Sequence, residues 1–97
     1  MHVRLTFFTS LPDKNEEAIK IFHDEIVPVV KQQKGNIDIF LLEPTEENNE
    51  AISFSTWETK ADADDYEATG LYTELVNKVR HTFAKPPVLK TYNTGER

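Results

Sequence analysis

The chain predicts an α+β fold of the ferredoxin-like kind, in the order β-α-β-β-α-β with a four-stranded antiparallel sheet. Four short runs, "HVRLTFF", "NIDIFLL", "AISFSTW" and "VLKTY", are rich in β-branched and aromatic residues, as strands are. Two longer segments lie between the first and second runs and between the third and fourth, and both carry apolar residues at helical spacing. No repeat, low-complexity segment or internal linker interrupts the order, which matches a split βαβ arrangement. With 97 residues the chain suits a single domain over 1–97, with a polar tail from about residue 93.

Residues 2–8 alternate as a strand, with Val3, Leu5 and Phe7 on one face and Arg4, Thr6 and Phe8 on the other. Ser10 and Asp13 resemble a capping box, and Pro12 suits a first helical turn, where no N–H is needed. Ala18, Ile19, Phe22, Ile26, Val29 and Val30 then make one broad apolar stripe that ends at Lys34 and Gly35. Pro28 predicts a kink near its last turns. Residues 36–42 and 51–57 read as a hairpin whose tip, "EPTEENNE", is acidic and solvated. Thr59 with Asp62 opens a short helix to about residue 68, and Thr69 and Gly70 interrupt it. A second helix follows from Leu71 to Phe83, Pro86 and Pro87 stop it, and "VLKTY" returns as the closing strand.

Composition excludes several classes. The residues are 38% apolar and 29% charged, a globular balance rather than a disordered one. A net charge of −6 without any cluster of Lys and Arg argues against nucleic acid and against an acidic membrane surface. No apolar run approaches the length that spans a bilayer, and "MHVRLTFF" lacks a signal-peptide core, so the expectation is a soluble, cytoplasmic protein. Without cysteine there are no disulfides, thiolate nucleophiles or thiolate metal sites. Gly-rich phosphate loops, G-x-S-x-G and H-E-x-x-H are absent, so NAD, FAD and ATP sites of the usual kinds are not expected.

Trp57 raises the functional question. It shares a strand face with Ser53 and Ser55, which cannot fill a dry core, and the mixture suggests the wall of a hollow. With both helices on one side of the sheet, the bare side is expected to receive Phe8, Phe40, Leu42, Trp57 and Tyr92. A second copy packed sheet to sheet would cover that patch twice through one symmetric contact, so a homodimer is predicted.

The order of elements, the kinked helix ending in "KQQKGN", the strand "ISFSTWET" and the broken helix "KADADDYEATGLYTELVNKV" together resemble the antibiotic biosynthesis monooxygenase (ABM) domain family. The similarity runs from about residue 3 to residue 92, and the Trp followed by an acidic residue and Thr is its best single mark. It implies a dimeric α+β barrel, and an activity in which several members oxidise phenols or quinols with dioxygen and no cofactor. Trp57 matches the tryptophan that lines the pocket of polyketide-oxidising members. Ser53 stands where those members have an asparagine, and Ala63 where they have a tyrosine; Tyr66, one helical turn further on, can reach the same cavity. The haem-degrading branch matches poorly, since its asparagine, tryptophan and histidine fall near Phe7, Tyr66 and Val76.

Cofactor-free oxygenation asks a protein to hold an electron-rich aromatic, help remove a phenolic proton and shelter the reactive pair from water. The predicted catalytic contacts are therefore Trp57, Tyr66 and Ser53, with Phe8, Phe40, Ser55, Tyr72 and Tyr92 around the substrate, no cofactor and no metal. The competing reading is a non-catalytic ligand-binding or structural homodimer in which Trp57 and Phe40 fill a dimer core and Tyr72 packs on its helix stripe. His2, His23 and His81 sit in no motif, and Asp62, Asp64 and Asp65 are read as first-turn carboxylates rather than metal ligands.

Overall fold

The computed structural model describes residues 1–46 and 50–95. Strand β1 (His2–Phe8) leads into three consecutive helical pieces: α1 (Asn15–Ile21), a π-helical turn (Phe22–Ile26) and α2 (Val27–Lys31). Strands β2 (Asn36–Leu42) and β3 (Ala51–Trp57) follow, then α3 (Lys60–Ala68), α4 (Leu71–Val79), a 3₁₀ turn (Arg80–Thr82) and β4 (Val88–Asn93). The strands make one antiparallel sheet in the order β2-β3-β1-β4, the ferredoxin-like arrangement the sequence predicts. The predicted hairpin tip includes residues 47–49 and the predicted tail includes 96–97, and both stretches lie outside the described residues.

The first helix begins later than its capping signals suggest. Ser10 forms a β-bridge with Phe83. Leu11 N–H donates to the Thr82 carbonyl at 2.8 Å, and Ala84 N–H to the Thr9 carbonyl at 2.8 Å. Backbone pairing thus holds Thr9–Leu11 extended, the Ser10–Asp13 box does not form, and α1 starts at Asn15 with no side-chain cap.

Pro28 has a definite structural consequence. Lacking an N–H and crowding the carbonyl four residues earlier, it disfavours a plain α-helix through Asp24, and the chain widens into the π turn, where Val27 N–H reaches back to the Phe22 carbonyl. The turn also aligns the core. Ala18, Phe22, Ile26 and Val30 are all buried and follow one another at four-residue steps. In a straight α-helix each such step drifts by about 40° around the axis; the wider turn takes up that drift and keeps the four on one stripe.

Beyond α2 the chain reverses at Gly35, whose φ of 81° lies in the left-handed region. A Cβ there would come within 2.2 Å of Asp62 Oδ2, so glycine is required by space as well as by conformation. The Thr59 cap forms as expected, its Oγ1 accepting from Asp62 N–H at 3.1 Å. Gly70, at φ 84°, separates α3 from α4 at the predicted break, which makes the observed order β-α-β-β-α-α-β. Helix α4 ends at Val79, short of the predicted Phe83. There the chain tightens into the 3₁₀ turn, and the fully buried Thr82 donates its hydroxyl to the Val79 carbonyl at 2.6 Å.

Cross-strand pairing settles which residues share a face, and it corrects two expectations. His2 lies opposite Trp57, Arg4 opposite Ser55, Thr6 opposite Ser53 and Phe8 opposite Ala51, while Ile39 of β2 pairs with Ser55. This set meets the helices, as the shared core of Trp57, Ile39, Phe22, Val30, Leu75 and Val79 shows. Phe8 and Trp57 are therefore buried under helices and do not belong to the bare face. The bare face instead carries Phe40, Leu42 and Tyr92, as predicted, with Val3, Leu5, Phe7, Ile52, Phe54 and Val88. Phe40 stacks on Phe54 with centroids 4.8 Å apart, and Phe40, Leu42, Val88 and Tyr92 are each at least 40% exposed. Strand β1 thus turns its more apolar side outward. Alternation alone cannot reveal this, because the helix-facing side is partly polar for a reason of its own. Among the described residues, no helix is long and apolar enough to cross a membrane.

Candidate functional site

That reason is a cavity between sheet and helices. Its floor is the inner face of the sheet, with Arg4, Thr6, Phe8, Ser53 and Ser55; one wall is the stripe of α1, the π turn and α2; the opposite wall is Tyr66, Tyr72, Leu75 and Val76 from α3 and α4. Phe8 stacks on Phe83 at 5.1 Å and closes one end. About 50 Å³ is open to the centres of water-sized molecules, enough for a few waters but less than a ring system needs. On the far side of Tyr72 and Val76, which wall both spaces, lies a larger open groove of about 260 Å³ bounded by Arg80, Pro86, Pro87 and Leu89.

Five of the residues singled out from the sequence, Phe8, Ser53, Ser55, Tyr66 and Tyr72, line this cavity together. Trp57 stands one layer behind. It is fully buried, stacks on Tyr66 with centroids 5.0 Å apart, and donates its indole N–H to Ser55 Oγ at 3.0 Å. It holds two lining residues in place instead of facing the space itself. Phe40 and Tyr92 lie on the opposite face of the sheet and do not border the cavity.

The sequence reading passed over Arg4 and Thr6. The Arg4 side chain is 5% exposed and donates to Glu67 Oε1 at 2.8 Å. Its guanidinium lies 5.5 Å from the Tyr66 ring centroid and 4.8 Å from that of Tyr72, a charge held between two π faces. Thr6 Oγ1 shares a 3.1 Å hydrogen bond with Tyr72 OH. The available signal was a cation alternating with Phe8 on a strand face that also proved to be buried. Burial pushes the Tyr66 phenol well above the ordinary tyrosine range, with Arg4 opposing it more weakly. The raised value favours the neutral phenol of Tyr66.

The histidines lie elsewhere. His2 is buried, with Nδ1 2.8 Å from Asn93 Oδ1; His23 packs edge-on against Phe22; His81 is hydrogen-bonded to Glu17, whose carboxyl it holds below the ordinary carboxylate range. None of them lines the cavity. Of the acidic trio, Asp64 is ion-paired with Lys60 at 2.7 Å and Asp62 lies 4.0 Å from Lys34. Among the described residues, no group of three or more His, Asp or Glu is placed to hold a metal ion.

The family model described as antibiotic biosynthesis monooxygenase matches residues 1–78, four-fifths of the chain and every element that walls the cavity up to Val76. The chain belongs to the antibiotic biosynthesis monooxygenase family. Solved structures share the fold over nearly their whole length. A candidate antibiotic biosynthesis monooxygenase of Nitrosomonas europaea superposes with a TM-score of 0.80 at 18% identity, covering 97% of this chain and 98% of that one. Another, from Deinococcus radiodurans, gives 0.84 at 12% identity, covering 100% and 95%. A conserved protein of Methanosarcina mazei gives 0.81 at 14% identity, covering 98% and 94%. At such identities the likeness speaks for the fold alone. No curated protein shows significant sequence similarity.

Proposed function

We propose that this ABM-family chain is a cofactor-independent monooxygenase that oxidises a small phenolic or quinol-type aromatic with dioxygen, working as a homodimer. The observation that carries the reading is the cavity itself: an apolar, aromatic-walled space into which a few polar groups converge, walled mostly by residues within the part of the chain that matches the family. In such a reaction the substrate supplies the electrons. A phenolate passes one electron to dioxygen, the radical and superoxide combine, and the peroxide loses water to give a quinone; one oxygen atom enters the product and the other leaves as water. The residues present suit a supporting part. The apolar stripe and Phe8 exclude water, Ser53 and Ser55 offer hydrogen bonds from the floor, and the neutral Tyr66 can donate to an oxygen that gains charge.

Oxygen consumption with a panel of hydroquinones and phenols, with product mass recorded, tests the reading. Tyr66→Phe and Ser53→Ala are expected to lower kcat/KM by roughly a hundredfold, the usual worth of a positioned proton donor. Uptake across the panel that neither change affects would count against catalysis here. The narrowness of the inner cavity favours a second reading, a non-catalytic ligand-binding dimer on the same scaffold. Saturable binding of the same compounds without any oxygen uptake would select it.

A further inference from the structure

The cation in the cavity wall has no counterpart in the reading above. Arg4 lines the space and is almost wholly buried, yet its only hydrogen-bond partner among the described residues is Glu67, through one Nη2–H to one oxygen. The other guanidinium N–H groups have no partner among the described residues, and none of their nitrogens is sealed from the cavity or solvent. A guanidinium presents five donors in a planar fork, and leaving donors unused in a low-dielectric space is costly. The rings of Tyr66 and Tyr72 pack against the guanidinium, with centroids 5.5 and 4.8 Å from Cζ. Glu67 is the more exposed partner of the pair, its side chain 48% exposed against 5% for Arg4, so water screens its end of the ion pair more strongly.

We infer that Arg4 is the anion-recognising residue of this cavity, and that the ligand is a single-ring aromatic bearing a carboxylate, such as a dihydroxybenzoate. The inference rests on the small-aromatic reading of the cavity but not on catalysis. A carboxylate matches the unused edge of the guanidinium, and the ring lies against the apolar stripe and the tyrosines. Room for the ring comes from Tyr72. Its side chain is hydrogen-bonded to Thr6, packs against Arg4 and Tyr66, and stands with Val76 between the inner cavity and the outer groove. Binding of such a ligand requires Tyr72 to shift so that the inner cavity and the outer groove, about 50 and 260 Å³, become one space in the range of small-molecule sites.

The test is anaerobic calorimetry with 2,5-dihydroxybenzoate and, as the neutral control, 2,5-dihydroxybenzamide. The carboxylate is expected to bind at least tenfold tighter than the amide. Arg4→Gln is expected to erase that difference, with Arg4→Lys restoring part of it. Glu67→Gln removes the negative charge that competes for the guanidinium and is expected to tighten carboxylate binding several-fold. A merely structural ion pair would behave otherwise, since breaking it from either side would weaken binding alike. Equal binding of acid and amide, no binding of either at millimolar concentration, or weaker binding by Glu67→Gln would each overturn the proposal. Because no oxygen is present, loss of the oxygenase reading leaves this result standing, and the reverse also holds.

Discussion

At the residue scale, the aromatic cluster shows how one buried ring positions another. Trp57 touches no cavity space, yet its stack on Tyr66 and its hydrogen bond to Ser55 set the orientation of two residues that do. Tyr66 is the group whose ionisation carries the clearest signature. Its phenol is raised in the folded chain above the ordinary value of about 10, so between the two values the folded state binds more protons than the unfolded one. Stability therefore falls as pH rises above about 10, by at most about 1.4 kcal/mol per pH unit from this group. Urea midpoints measured from pH 9 to pH 11 are expected to fall more steeply in the wild type than in Tyr66→Phe. Parallel profiles would show that Tyr66 is not shielded in this way. The sequence marked Ser53 by its alternation with Trp57, and Tyr66 through the family resemblance, one helical turn beyond Ala63. It did not mark Arg4, because a lone cation on a strand ordinarily reads as a solvated one.

At the scale of elements, the two left-handed glycines make a controlled comparison. Gly35 and Gly70 have nearly the same φ, 81° and 84°, so an alanine is strained at either by about 1 kcal/mol. They differ in what surrounds them. An added Cβ at Gly70 meets nothing within 4 Å, whereas at Gly35 it runs into the Asp62 side chain at the start of α3. Gly70→Ala is expected to cost about 1 kcal/mol and Gly35→Ala roughly twice that or more, as read by chemical denaturation. Equal losses would mean that Asp62 moves aside freely. The kink at Pro28 was legible in the sequence, but its form was not. Proline forbids one hydrogen bond, and whether the helix bends, breaks or widens depends on which residues must reach the core. Here the four-residue spacing of Ala18, Phe22, Ile26 and Val30 requires widening.

At the scale of the molecule, the bare face of the sheet exposes large apolar side chains, among them Phe40, Leu42, Val88 and Tyr92. Phe40 on Phe54, with Leu42, Ile52, Leu5 and Phe7 on the same face, makes an apolar cluster edged by Lys90, whose Nζ lies 5.2 Å from the Phe7 ring, and monomers seldom leave large apolar clusters to water. In the proposed homodimer it packs against its own copy. Sedimentation equilibrium is expected to give a dimer at micromolar concentration, and Phe40→Glu to shift it to monomer without loss of helical circular dichroism. A wild-type monomer at that concentration would remove the proposal. The candidate ligand site lies on the other side of the sheet, within one chain, so the monomeric variant is expected to keep its cavity.

The order of elements, the break at Gly70, the cap at Thr59 and the membership of the ABM family follow from the linear pattern, because each rests on contacts between near neighbours or on spacing along one element. Which face of β1 lies under the helices did not follow. Both faces carry apolar residues, and pairing with β3 and β4 breaks the tie. The start of the first helix was decided by a bridge from Ser10 to Phe83, 73 positions away along the chain. Arg4 acquires its meaning only when Glu67, Tyr66 and Tyr72 arrive around it from distant helices. Burial and the pairing of charge are properties of three-dimensional neighbours, and no local pattern encodes them.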